Sequence, residues 1–369
     1  MPYDLKPPSW IAVGRTVRAD GSVISVREKP EPALVPVEVP DPKHIKFTTT
    51  VYDRDGKPDR QFVRIEADAQ ERERLWRQFA DTLAKDLPQV KPVPPPKTAA
   101  DDLCAEIPIG DHHYGMYAWW RESGDDYDIK VAESLLYGAI DHFMALGAPA
   151  ATCLIESLGD FLHYDGMTPE TVRSKHRLDS DTRFQKMLEV AMTTFRHIIN
   201  TALKRYRAVH VIVAGGNHDP ASSAMIRTAL GHIYEREPRV TIDQSPGDFF
   251  YFEFGKCLIG VNHGHQVKME DLPLIMAEDQ PERWGRTLYR HWRTGHIHHA
   301  RQQIVLAGRD HKRTTVESFR VLPPNEAYAT QAGFRSLRDM KMIMLHREFG
   351  EQARYTYNPR MLAHHPDVS

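Results

Sequence analysis

The stretch VIVAGGNHDPASS, residues 211–223, runs from a β-branched apolar segment into two glycines, then into an amide, an imidazole and a carboxylate. Four apolar residues bounded by Gly-Gly read as a buried strand. Helical spacing follows over Ala221–Tyr234, so the unit is strand, turn, helix. Asn217, His218 and Asp219 are thereby delivered to the end of a buried strand, where three polar side chains need a reason to sit.

Working outward, the same arrangement recurs. Strands are predicted at AEIPIGD (105–111), AATCLIESLGD (150–160), AVHVIVAGG (208–216), YFEFGKCLIGVNHG (251–264) and LYRHWRTGH (288–296). Helices are predicted at Asp128–Leu146 and Asp181–Tyr206, the second with Phe184, Leu188, Ala191, Phe195 and Ile198 or Ile199 on one core-facing stripe. Strands alternating with helices argue for an α/β layered domain. Beyond Ala300 the chain reads mostly as strands: RQQIVLAG (301–308), TTVESFRVL (314–322), MKMIMLHRE (340–348) and ARYTYNP (353–359).

Before this lies a different region. Asp20-Gly21 and Asp55-Gly56 each sit between strand-like runs and predict hairpins. Asp68 with Glu71 forms a capping-box pattern ahead of Leu75, Phe79, Leu83 and Leu87, which predicts a helix closed by Pro88. VKPVPPPK (90–97) is a polyproline-type spacer. Residues 1–97 are therefore expected to be a small α+β accessory region and 98–369 the main domain.

Composition narrows the class. With 48 basic and 50 acidic residues the net charge is −2, so no global basic excess points to nucleic acid. Any polyanion contact has to come from a local patch. Cys104, Cys153 and Cys257 are read as buried thiols in a reducing compartment. The first residues hold no signal-like apolar core, and no apolar run approaches the roughly 18 residues of a membrane span. A cytoplasmic protein with no membrane partner is expected. The 20 histidines are a surplus, and their placement decides what it means.

The predicted strands end in a consistent way. The first runs into Asp111-His112-His113, the second into Gly159-Asp160, and the third into Gly216-Asn217-His218-Asp219. The fourth runs into His263-Gly264-His265 and the fifth into Gly295-His296-Ile297-His298-His299. Sites in open α/β sheets lie beyond the carboxyl ends of strands. Carboxylate, imidazole and amide oxygen without thiolate suit Mn, Fe, Zn or Ni, and the set is too rich in imidazole for Mg or Ca alone.

In this order the motifs resemble the calcineurin-like metallophosphoesterase superfamily, over about Glu106 to His299. The resemblance implies a four-layer α/β/β/α sandwich carrying two divalent ions, with Mn placed first among Mn, Fe, Zn and Ni. It implies that Asp111, His113 and His298 hold one ion and Asn217, His263 and His296 the other, with Asp160 bridging. His218 would then act as the acid toward the leaving oxygen, and Asp219 would orient its ring. His112 and His299 are read as exposed or beside the ligands, and His265 as beside them or facing substrate.

GDFLHYDG (159–166) looks like the second motif of the DNA-repair nuclease branch, and the longer stretch is similar to phage and prophage members of the superfamily. That likeness places His163 toward substrate, with a structural histidine as the equal alternative. Arg173, Lys175, His176, Arg177 and Arg183 read as a solvated loop or as phosphate contacts. Arg290, His291 and Arg293 with Tyr289 and Trp292 read as a single-strand contact or as core.

The functional expectation is a DNA nuclease. The alternative is a small-molecule or nucleotide phosphoesterase, and a non-catalytic scaffold is disfavoured by the intact ligand set. The repair nucleases work with a P-loop ATPase, and this chain has no G-x-x-x-x-G-K-[ST]. A protein partner for the N-terminal region and self-association stay open.

Overall fold

A computed structural model describes residues 10–17, 23–30, 45–52, 58–65, 89–97, 99–146, 150–172, 175–297, 314–324 and 337–364. The chain divides into two compact units, Met1–Asp68 and Ala69–Ser369. In the first, β1 (Trp10–Val17) pairs antiparallel with β2 (Val23–Pro30), and β3 (Ile45–Tyr52) with β4 (Pro58–Ile65). Both pairs flank an Asp-Gly, as turn chemistry predicts. The helix expected from Asp68 lies outside the described residues.

The second unit is mixed α/β with two sheets. Its chain order is β5 (Ala100–Ile109), α1 (Ile129–Leu146), β6 (Ala150–Ser157), α2 (Phe184–Arg205), β7 (Ala208–Val213), α3 (Pro220–Ile233) and β8 (Val240–Ile242). There follow β9 (Phe250–Phe254), β10 (Cys257–Val261), α4 (Leu272–Asp279), α5 (Pro281–Arg286), β11 (Tyr289–Thr294), β12 (Thr314–Ser318), β13 (Met340–His346) and β14 (Gly350–Tyr357). The six-stranded sheet has the order β14-β13-β5-β6-β7-β8 and the four-stranded sheet β12-β11-β10-β9. The stretch 251–264, read as one strand, is a hairpin of β9 and β10 turning at Gly255, where φ is +57° and a Cβ would meet the Arg347 carbonyl.

Alternation along the strands sorts the core. Ala105, Ile107, Ile109, Cys153, Ile155, Val209 and Val211 share one cluster with Leu136, Ile140, Phe195, Ile199 and Leu230 of α1–α3. The intervening residues Cys104, Leu154 and Ile212 share another with Phe250, Cys257, Ile259 and Val261 of the four-stranded sheet. A third gathers Leu258, Trp292 and Val316 with Leu272 and Met276 of α4. The three cysteines are free and buried.

Side chains cap the starts of α1 and α3. Asp128 accepts the Lys130 and Val131 N–H groups at 2.8 Å each and so caps α1, an arrangement worth about 1 kcal/mol. For α3 the cap comes from elsewhere: Asp165, in the loop after β6, accepts the N–H groups of Ala221 (2.7 Å) and Ser222 (3.0 Å).

The division at residues 68/69 differs from the expected boundary at 97. The start of the proline-rich spacer is held by the end of α3 and the segment after it: Val90 N–H donates to the Ile233 carbonyl at 3.0 Å and Val93 N–H to Glu237 at 2.8 Å. These two hydrogen bonds fix the start of the spacer to α3 and the turn that follows it. Among the described residues no helix is long and apolar enough to cross a membrane.

Candidate metal centre

β5, β6 and β7 are mutually parallel, as are β10, β11 and β12, so each set delivers its motifs at one edge. Pairing continues past the strand ends. His113 N–H donates to the Asp160 carbonyl (3.0 Å), Tyr114 N–H to Phe161 (2.9 Å) and His163 N–H to Tyr114 (3.0 Å). The loops carrying Asp111-His112-His113 and Gly159-Asp160 are thus one rigid ribbon rather than two free ends.

Three groups of side chains bring possible ligand atoms within 4.8 Å of one another: Asp111, His113 and Asp160; Asp160, His263 and His296; and His113, His163 and His218. Asp160 belongs to the first two. His263 shows what the cluster is built for. Its Nδ1–H donates to the Leu158 carbonyl at 2.8 Å, while Nε2 lies 3.1 Å from Asp160 Oδ2 and 3.0 Å from Asn217 Oδ1. With Nδ1 committed, an Nε2 facing two acceptor oxygens needs a cation or its own proton between them. Burial alone would push the His263 ring down. The Asp160 and Asp111 charges outweigh that and hold it up at about 10. His296 goes the other way, to about 4, through burial and the neighbouring His263 charge.

The residues fit a metal on two further grounds. Asp111, Asp160 and Asp219 are at most 1% exposed, and carboxylates buried this closely need compensating positive charge. The space for them is made by glycines: a Cβ on Gly216 would lie 2.0 Å from Asp160 Oδ1, and one on Gly295 would lie 2.3 Å from Asp111 Oδ1. Backbone strain collects here as well. Four described non-glycine residues have positive φ, and three of them are His113 (49°), Asp160 (50°) and His296 (61°). Each costs on the order of 1–2 kcal/mol, tolerated where surrounding structure over-determines it. Here the surroundings are the N–H groups that hold the carboxylates: His218 N–H on Asp160 Oδ1 (2.7 Å) and His296 N–H on both Asp111 oxygens (3.0 Å each).

One expected role changes. Asp219 does not hold the ring of His218. Its Oδ1 accepts the Asp160 (3.1 Å) and Gly216 (3.0 Å) N–H groups, and its Oδ2 the Leu162 N–H (3.0 Å). It therefore staples the loop after β6 to the loop after β7. Burial and the Asp160 charge push its carboxyl up to about 7. His218 is oriented instead by the His163 carbonyl, to which its Nδ1–H donates at 2.7 Å, so Nε2 is the nitrogen left to exchange a proton.

His163 is 1% exposed rather than open to the surface, with its ring 5.2 Å from that of His113 and stacked at 5.6 Å on that of His218. His265 is half-buried, its ring 5.2 Å from His263 and 6.0 Å from His296. Arg183 is exposed and precedes α2. His112 is neither exposed nor at the ligands. It is buried against Tyr114 and Phe161, bonds the Ala132 carbonyl at 3.1 Å, and burial pushes its pKa down to about 3. The left-handed turn of the backbone at His113 (φ 49°) leaves His112 in the core and His113 at the centre. Arg290, His291, Trp292 and Arg293 are buried in β11, so the basic-aromatic run is core and not a nucleic-acid surface. His298, His299 and Arg173 lie outside the described residues.

Sequence reasoning missed the Asp165 cap and a set of charges between the sheets. Glu106 and Glu156, placed inside apolar strands, were the available signal for the latter.

No protein-family model matches the chain, and no curated protein does. Among solved structures, a conserved protein of Streptococcus pneumoniae TIGR4, described as a predicted phosphoesterase, matches over 70% of this chain and 100% of its own. The identity is 11% and the TM-score 0.27, a likeness too slight to carry an argument. The reading of the site rests on its residues.

Proposed function

We propose that the second unit is a dimetal phosphodiesterase of the calcineurin-like kind, built as a four-layer α/β/β/α sandwich and acting on DNA as a nuclease. The observation that carries the dimetal reading is that Asp160 is common to two ligand groups drawn from different sheets. One ion would be held by Asp111, His113 and Asp160 with His298, the other by Asp160, Asn217, His263 and His296. Manganese is the first choice of metal. The chemistry the ions supply when bound is charge neutralisation on the phosphoryl oxygens and activation of a water nucleophile.

The chain's own residues do the rest. His163 fixes the His218 ring through its carbonyl, and His218 passes a proton from Nε2 to the leaving oxygen. Asp219 keeps the Asp160 and Asn217 loops in register through three backbone N–H groups. DNA as substrate is supported by the likeness of GDFLHYDG to the repair-nuclease motif, and phage or prophage members are the suggested relatives.

The test is digestion of end-labelled single- and double-stranded DNA by the Mn-loaded protein beside His218→Ala and Asp160→Asn. The expected result is cleavage lost by about 10²–10⁴-fold in His218→Ala with metal content retained, and metal lost only in Asp160→Asn. Cleavage of a small aryl phosphodiester without DNA cleavage would move the substrate to a small ester. Equal metal loss in both variants would remove His218 from the acid role.

A further inference from the structure

We propose that Arg293 and Glu106 clamp the two sheets together beneath the metal centre and set the spacing between its halves, so that both are positioning residues; this rests on the dimetal reading above. Asp111, His113 and Asp160 follow the ends of strands of the six-stranded sheet, and His263 and His296 the ends of strands of the four-stranded sheet. A bridging carboxylate works only if the two sheets hold a fixed offset. The cluster between them is largely apolar, with Cys104, Leu154, Ile212, Phe250, Ile259 and Val261 in contact. Apolar burial is non-directional and does not by itself choose an offset.

The Arg293–Glu106 pair is directional. Arg293 lies on β11 three residues before His296, and Glu106 lies on β5 five residues before Asp111. Arg293 Nε donates to Glu106 Oε1 at 2.5 Å and Nη2 to Oε2 at 2.9 Å, with both side chains fully buried. A planar two-point fork fixes distance and angle at once. Nη1 donates to Glu317 Oε2 on β12 at 3.0 Å. Glu317 in turn takes Arg354 Nη2 from β14 at 2.7 Å, which is a second crossing between the sheets. Above the fork, the His296 N–H on the Asp111 carboxylate joins the same two strands' exits. β5 and β11 are therefore tied at two levels, one of them inside the site.

The pair is an expensive way to hold sheets together. Buried ion pairs often add nothing to stability over an apolar pair of similar size, so what this one contributes is position. Glu156 sits in the same interior with neither oxygen partnered among the described residues. Burial and the Glu106 charge push its carboxyl well above the usual range. The guanidinium bonds Glu106 and Glu317 and not Glu156.

The experiment loads the full-length protein with Mn(II) and measures both affinities and the low-temperature EPR spectrum. Variants are R293M/E106M, which keeps the volume and removes the charges, and R293K, which keeps the charge and loses the fork. Wild type is expected to show a spin-coupled manganese pair. The double variant is expected to stay folded in urea titration, to bind the second ion at least about tenfold more weakly, and to lose the coupled signal. R293K should fall between. Variants that keep both affinities and the coupled signal overturn the clamp, whatever happens to their stability. Should the double variant not fold, E106Q, which leaves one acceptor oxygen, carries the same readouts. A wild type that never binds a second ion overturns the dimetal reading, and the clamp with it.

Discussion

Removing the Asp219 carboxylate should act on stability before it acts on catalysis. In Asp219→Ala the N–H groups of Asp160, Gly216 and Leu162 lose their acceptors inside a closed interior. An unsatisfied buried N–H costs about 1–3 kcal/mol, so three cost about 3–6 kcal/mol once water entering the vacated space relieves part of the loss. Asp219→Asn is the calibrating variant. Its one carbonyl oxygen keeps the two bonds now made by Oδ1, while its amide faces the Leu162 N–H, so about 1–3 kcal/mol is lost. Urea unfolding of the metal-free protein reads both, and the order should be wild type, Asn, Ala. Because the Asp160 backbone is one of the three anchors, metal affinity should fall in the same order. The pH dependence gives a second check. A carboxyl raised to about 7 contributes stability that is fully present below its unfolded pKa of about 4 and is lost as pH rises through 7. The Ala variant should lack that part of the decline. An Ala variant within about 1 kcal/mol of wild type that nonetheless loses turnover would refute the staple and return Asp219 to the His218 ring.

Two further predictions follow from the same geometry. In the metal-free protein His263 is held protonated at about 10, so a divalent ion taking up Nε2 at pH 7.5 to 8 should release about one proton. Calorimetry in buffers of different ionisation enthalpy reads this, and no proton release would mean that His263 is not a ligand. The raised pKa also means that stability from this ring is fully present below pH 6.5 and is lost as pH rises through about 10. Gly216→Ala should weaken metal binding and cost about 1–3 kcal/mol, because its Cβ would lie 2.0 Å from Asp160 Oδ1 and 2.4 Å from the Asp160 backbone nitrogen. Gly285→Ala, with nothing within 4 Å, is the control, and equal behaviour of the two would show that the Gly216 site has room to give.

The sequence by itself determined the elements and the order in which the chemistry is presented. The apolar run in AVHVIV, the Asp-Gly turns, the Asp128 helix start and the glycine before four of the five motifs are local signals, and each resolves within a few residues. The sides taken by His112 and His113 were not legible in this way, because the strand ends at Ile109 and the backbone at His113 is left-handed (φ 49°), not extended. The tertiary structure alone decided the partners. Asp219 reaches Leu162 across 57 residues, His218 reaches the His163 carbonyl across 55, and Arg293 reaches Glu106 across 187. Adjacency in sequence made Asp219 look like the partner of His218, but the loops after β6 and β7 bring three buried N–H groups closer to it, and buried amides must find acceptors. The same reasoning applies to YRHWRT, whose basic and aromatic letters match a surface motif until the sheets close over them. Side-chain chemistry can be read from the chain. The donor that an oxygen meets is set by which distant strands pack together, and only the folded layers specify that.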